Sequence, residues 1–191
     1  RHGLQWHAPG QCMKDYVVAL RAIWQSWQEE EPLEYESKHY KLNLSVPLFT
    51  PSPMDFAPIP IHVAAVNPGM FEVAFEIAEG VRLHPVCSSR YISEVLLPRM
   101  KKKKSDGFEV CLKPLIATAK DEEVLLARKE VARQRLAFYL STPTYAKSFD
   151  IFQLQDLCQE MNQLSRTNRW AEMSELVTDE LLEEIVIVAL Y

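Results

Sequence analysis

Between residues 11 and 28 the apolar positions Met13, Tyr16, Val17, Leu20, Ile23, Trp24 and Trp27 recur at steps of three and four. That period lines one stripe of an α-helix and predicts one over 11–28. Pro9 and Gly10 precede it, and Pro32 bars its continuation, having no N–H to give the helix ladder. Tyr35 and Tyr40 flank a four-residue polar turn and predict a small hairpin. Pro47, Pro51, Pro53, Pro58 and Pro60 then make residues 47–60 an extended connector.

Beyond the connector the pattern alternates between two element types. Short apolar runs at 61–66, 81–85 and 110–117 have strand length, and residues 69–79 and 89–104 have helical composition and period. Asp121 is placed to cap a helix over 122–140, with Glu122 and Glu123 in its first turn. Pro143 opens a run of shorter helices to residue 184, and 185–190 close the chain as an apolar strand. Strands that are apolar on both faces, each followed by a helix, form parallel sheets covered by helices. The fold class is α/β, with a doubly wound sheet and a (β/α)8 barrel both open. The absence of a Gly-rich turn after any of these strands argues against a Rossmann nucleotide site.

Composition narrows the function classes. The chain has 191 residues, 48% of them apolar, and a formal charge of −5. A disordered chain would have far less apolar content, and an acidic balance argues against nucleic-acid binding driven by bulk charge. No apolar run approaches the length of a membrane span. Cys12, Cys87, Cys111 and Cys158 form no CxxC pair, which predicts reduced thiols in a cytoplasmic location and no metal site. Glycine is scarce: 5 are present, where average usage of about 7% would give roughly 13.

The run Pro60-Ile61-His62-Val63-Ala64-Ala65-Val66-Asn67-Pro68-Gly69-Met70, followed by Ala78-Glu79-Gly80-Val81 and His84-Pro85, resembles the luciferase-like monooxygenase family, in particular its coenzyme F420-dependent oxidoreductase branch. The likeness continues through Tyr91, Glu94 to Pro98, Phe138 to Tyr145, Leu164 to Arg166, Trp170 to Met173 and Thr178 to Leu181. Upstream, Arg1 to Trp6 and Tyr16 to Trp24 fit the same template. The resemblance implies a TIM barrel in which the strand near 61–66 is the fifth and the last strand the eighth. On that reading residues 1–191 are one incomplete domain. Residues 1–60 supply a helix, hairpin and connector, and 61–191 a βα half-barrel with a helical insertion before the last strand. The start at Arg1 then falls after strand four. Open strand edges of a half-barrel imply a dimer mate or partner chain to cover them.

Catalysis in such barrels sits at the C-terminal ends of the strands. The resemblance therefore implies a cofactor, coenzyme F420 or FMN, held at Ala64, Ala65, Val66 and Asn67. Small Ala64 and Ala65 would admit a flat ring, with free N–H groups at the turn facing a phosphate; the plainer alternative is that they fit a crowded interior. His84 is the candidate catalytic residue, for a hydrogen bond or proton transfer, against a packed histidine without a role. Ser88, Ser89 and Arg90 are candidate phosphate contacts, or an ordinary helix cap. Ser141-Thr142-Pro143 is a capped helix start or part of a lid. Lys101 to Lys104 end a helix in solvent or offer a partner patch.

The implied activity is a flavin- or F420-dependent oxidoreductase or monooxygenase acting on a small organic substrate. The alternative is a non-catalytic homologue, a pseudoenzyme serving as a structural or interaction subunit. Glu79, Phe75, Ser37 and Leu140 stand where the family tends to use other, smaller residues, and Phe75 is expected to fill space that helix–sheet contact or the cofactor would need.

Overall fold

The computed structural model describes residues 8–100 and 107–191. Lys101 to Lys104 and Arg1 to Trp6 lie outside the described residues. Helix α1 spans Pro9–Glu29, and the antiparallel pair β1 (Tyr35–Glu36) and β2 (Lys41–Leu42) forms the expected hairpin. The Ser37 hydroxyl accepts from the N–H groups of His39 and Tyr40, so a serine closes this turn without glycine. On α1 only part of the expected stripe is buried: Val17 is enclosed, whereas Tyr16 is half exposed. The connector holds a single 3-10 turn, Pro47–Phe49. It is tied to α1 by a two-way amide contact, Gln28 Nε2 to the Met54 carbonyl (2.9 Å) and Met54 N–H to Gln28 Oε1 (3.0 Å).

Three successive strand–helix units follow. Strand β3 (His62–Ala65) leads through α2 (Pro68–Ile77) to β4 (Gly80–Leu83). A helical segment then runs from α3 (Ser89–Tyr91) through a π-helical turn (Ile92–Leu96) into α4 (Leu97–Met100). The run expected as one strand over 110–117 is two, β5 (Glu109–Leu112) and β6 (Leu115–Ala119). Lys113-Pro114 separates them, and a proline cannot donate to a ladder. The interruption changes partners: β5 pairs parallel with β4, while β6 pairs parallel with the last strand, β7 (Val186–Leu190). Between β6 and β7 lie α5 (Glu122–Leu140), a 3-10 segment (Ala146–Phe152), α6 (Gln155–Arg166), α7 (Trp170–Glu175) and α8 (Asp179–Ile185). Asp121 caps α5 as expected, accepting from Val124 N–H at 2.8 Å.

Residues 141–145 depart from the expected helix start. Ser141 is instead the last cap of α5, its hydroxyl donating to the Phe138 carbonyl. Thr142 and Pro143 lie in a turn closed by Tyr145 N–H on the Thr142 carbonyl. The preceding helix claims Ser141 because its carbonyls need donors at that end.

Parallel register assigns the two faces of each sheet. Val63, Ala65, Val81 and Leu83 face the helices and are buried with Phe71, Ala74 and Tyr91. A second core joins Leu115, Ala117 and Val186 to Leu136, Leu140, Phe149, Met161 and Leu182. The opposite faces, with Ala64 and Arg82 on one sheet and Ile116 and Ile187 on the other, are exposed. Phe75 packs on Phe71 and edge-on to Phe108, just before β5 at the N-terminal ends of the strands. Of the two expected spaces it therefore takes the one between helix and sheet, away from the C-terminal strand ends. Glu79 likewise has local partners, accepting from Ile61 N–H at 2.8 Å and pairing with Arg21.

Leu136 is fully enclosed in the second core. Leu136→Ala is expected to cost about 2–5 kcal/mol of unfolding free energy. The exposed Leu126→Ala should cost less than about 0.5 kcal/mol, both measured by urea denaturation.

Candidate functional site

Just past the C-terminal end of β3, the 3-10 segment and α3 meet at one half-buried carbonyl. The Val66 carbonyl, just past β3, accepts from the Ser148 hydroxyl at 3.1 Å and from the Tyr91 hydroxyl at 3.4 Å. Ser148 and Tyr91 are both buried, so an unpartnered carbonyl here would be costly. Burial also pushes the Tyr91 hydroxyl up to about 12, so it stays a donor at neutral pH.

One strand over, His84 sits in an aromatic enclosure. Its ring stacks on Tyr145 with centroids 4.3 Å apart and meets Tyr139 edge-on at 4.8 Å. Nδ1 of His84 accepts from Val86 N–H at 3.4 Å, which leaves Nε2 as the protonated nitrogen of the neutral ring. Burial holds the imidazole below its ordinary value near 6.5. The ring is half-buried, so it is a neutral, oriented group with one N–H to donate. Beside it opens a cleft of about 520 Å³, lined by Pro85, Pro114, Ile116 and Tyr139 and edged by Arg128 and Arg135. A second cleft, about 490 Å³ between α1 and the connector, is lined by Pro60 and Glu79 at the opposite, N-terminal ends of β3 and β4.

The other sequence-derived candidates separate into two groups. Ala64 is exposed on the open face, but Ala65 is buried against α2. Asn67 caps α2, accepting from Met70 N–H at 3.1 Å. Pro68 has no N–H, so the α2 terminus has fewer free donors for a phosphate than the turn alone suggests. Ser88 is buried and accepts from Tyr91 N–H at 3.1 Å, which is the cap role. Ser89 and Arg90 are exposed; Arg90 pairs with Glu94 at 3.2 Å and lies 5.5 Å over the Phe152 ring. The residues that surround His84 and Val66 were not singled out from the sequence as site residues. Tyr91, Tyr139 and Tyr145 fall within the segments that carry the family resemblance, and that was the available signal; Ser148 had none.

A profile of the luciferase-like monooxygenase family matches residues 1–189. The chain belongs to this family. An uncharacterised protein of Mycobacterium tuberculosis is 35% identical over 195 residues, covering 98% of this chain and 57% of that protein. The 5,10-methylenetetrahydromethanopterin reductase of Archaeoglobus fulgidus is 24% identical over 191 residues, covering 96% of this chain and 54% of the reductase. The fold is shared with the coenzyme F420-dependent tetrahydromethanopterin reductase of Methanopyrus kandleri, at a TM-score of 0.65 and 16% identity, over 99% of this chain and 58% of that one. The chain thus spans little more than half the length of these relatives. Among the described residues no helix is long and apolar enough to cross a membrane.

In this luciferase-like chain the depressed His84 fixes the sign of a pH effect. The unfolded state binds the proton more readily, so the contribution is whole above about pH 6.5 and is lost as pH falls through the lower folded value. Urea midpoints taken between about pH 8 and pH 5 should fall for the wild type. They should fall less for His84→Gln; equal slopes would show that His84 contributes nothing.

Proposed function

We infer that the chain contributes cofactor-binding residues to a coenzyme F420-dependent oxidoreductase acting on a small organic substrate. The observation that carries this reading is the meeting of the β3 and β4 C-terminal ends with a neutral, ring-enclosed histidine beside a cleft edged by arginines. Strand C-termini are where parallel α/β folds bind their ligands. The names of two distant relatives, a putative F420-dependent oxidoreductase of Mycobacterium tuberculosis among them, favour F420 over FMN.

The residues fit such a group in part. Ala64 is exposed on the open face and short enough to let a planar ring lie against the strand. Arg82 is its register neighbour on the same face, also exposed, and supplies positive charge. Arg128 and Arg135 edge the cleft, where an anionic tail would be held by charge. When bound, the deazaflavin supplies hydride transfer, and the protein contributes binding and orientation. His84 offers an oriented N–H to a carbonyl and, being neutral, adds no charge of its own. The apolar Ile116 and Ile187 on the open face call for cover, which a second copy or a partner chain would provide.

Fluorescence titration with coenzyme F420 and separately with FMN tests the reading. Saturable quenching by F420 is expected. Because Ala64 is exposed, Ala64→Leu should leave the unfolding midpoint unchanged and weaken F420 binding on the order of tenfold, about 1.4 kcal/mol. Binding of neither cofactor at high micromolar concentration would falsify the proposal for this chain, and binding of FMN alone would reassign the cofactor.

A further inference from the structure

At the opposite end of the same sheet, three metal-ligating side chains from two strands converge on the open face. His62 begins β3, and Glu109 and Cys111 lie two residues apart on β5, so both point to the same side. His62 pairs in register with Gly80, and Gly80 pairs with Glu109. His62 and Glu109 are therefore two strand spacings apart, about 9.6 Å along the hydrogen-bonding direction. They nevertheless meet, His62 Nε2 to Glu109 Oε2 at 3.3 Å, with Cys111 Sγ 3.9 Å from His62 Nδ1.

The imidazole reaches across β4 because the residue beneath it is glycine. A Cβ at Gly80 would stand 2.7 Å from His62 Nε2 and 2.9 Å from the Glu109 carbonyl oxygen. Gly80 has an ordinary backbone conformation, so the close approach, rather than a special φ, is what calls for glycine here. One of the chain's 5 glycines is thus placed where it lets a histidine cross a strand to a carboxylate and a thiol.

We propose that His62, Glu109 and Cys111 bind a divalent zinc-like cation. The three donor atoms lie within 4.8 Å of one another. Zn²⁺ takes nitrogen, oxygen and sulfur at about 2.0–2.3 Å; Glu109 faces Nε2 and Cys111 faces Nδ1, so the side chains rotate to bring one imidazole nitrogen, one carboxylate oxygen and the sulfur onto one ion. A mixed imidazole, carboxylate and thiolate set selects zinc-like metals over Mg²⁺ or Ca²⁺, which prefer oxygen alone. The face is open, which leaves the fourth position to water. Bound there, the ion clamps β3 to β5 across β4, at the strand ends remote from His84. It stands independently of the cofactor reading. No local spacing marks it, since His62 and Cys111 are 49 positions apart.

The metal-free chain titrated with Co²⁺ provides the test. A thiolate-to-cobalt charge-transfer absorption saturating at one equivalent, and displaced by Zn²⁺, is expected. Cys111→Ser should abolish it, and His62→Ala and Glu109→Gln should each weaken binding on the order of tenfold or more. Cys12→Ser should leave it intact, which matters because Cys12 Sγ lies 3.4 Å from His39 Nε2 in another thiol–imidazole pair. Cys87 and Cys158 are buried, with thiols pushed up to about 11, and should not compete. Zn²⁺ should also raise the urea midpoint of the wild type but not of Cys111→Ser. No absorption, or one that survives Cys111→Ser, would overturn the assignment.

Discussion

The turn that follows β4 holds the molecule together, because it commits adjacent side chains to different cores. Val86 is wholly enclosed by the core of β6, β7 and α5, while Cys87 is buried with β3, β4 and α2. Val86 N–H bonds to the His84 ring, and Cys87 N–H bonds to the His84 carbonyl at 2.9 Å. A change in this turn is felt by both cores, since close-packed interiors do not deform continuously. His84 inherits its place from that turn. Its ring rests on Tyr139 of α5 and on Tyr145 just beyond it, so helix α5, strand β4 and the 3-10 segment must dock together before the histidine is oriented.

The same docking closes the end of β3. Ser148 crosses 82 positions of sequence to reach the Val66 carbonyl, and Tyr91 reaches it from the helical segment after β4. Strand ends that carry chemistry need such bracing, because a loosely held group loses the geometry that makes it useful. By contrast, the faces holding Ala64, Arg82, Ile116 and Ile187 are exposed, with no helix over them among the described residues. Helices cover one face of the described strands, and Ala64, His62 and Glu109 all lie on the other, exposed face.

Much of the fold was legible in local chemistry. Asp121 followed by two glutamates marked the start of α5, and the prolines from Pro47 to Pro60 marked a connector without long elements. Lys113-Pro114 lies inside one apolar run of the sequence yet separates two strands of the structure. A proline inside an apolar run marks a break, but only the pairing partners show that the chain switches sheets there. Ser141-Thr142-Pro143 misled for a related reason: the motif suits a helix start, but the end of α5 had the prior claim on Ser141. Ala64 and Ala65 were indistinguishable as neighbours in sequence, and the pleat put one in water and the other in the core.

Neighbouring residues alone were enough for the α/β class, the family and most of the element order, because hydrophobic period, caps and motif order are local properties; the break between β5 and β6 was not among them. The assembled fold is what sets His84 against two tyrosines, holds one carbonyl after β3 with Ser148 and Tyr91, and passes His62 over Gly80 to Glu109. Each of these depends on strand register and helix docking. Those are chosen by the packing of whole faces, and no residue carries that information in its own neighbourhood.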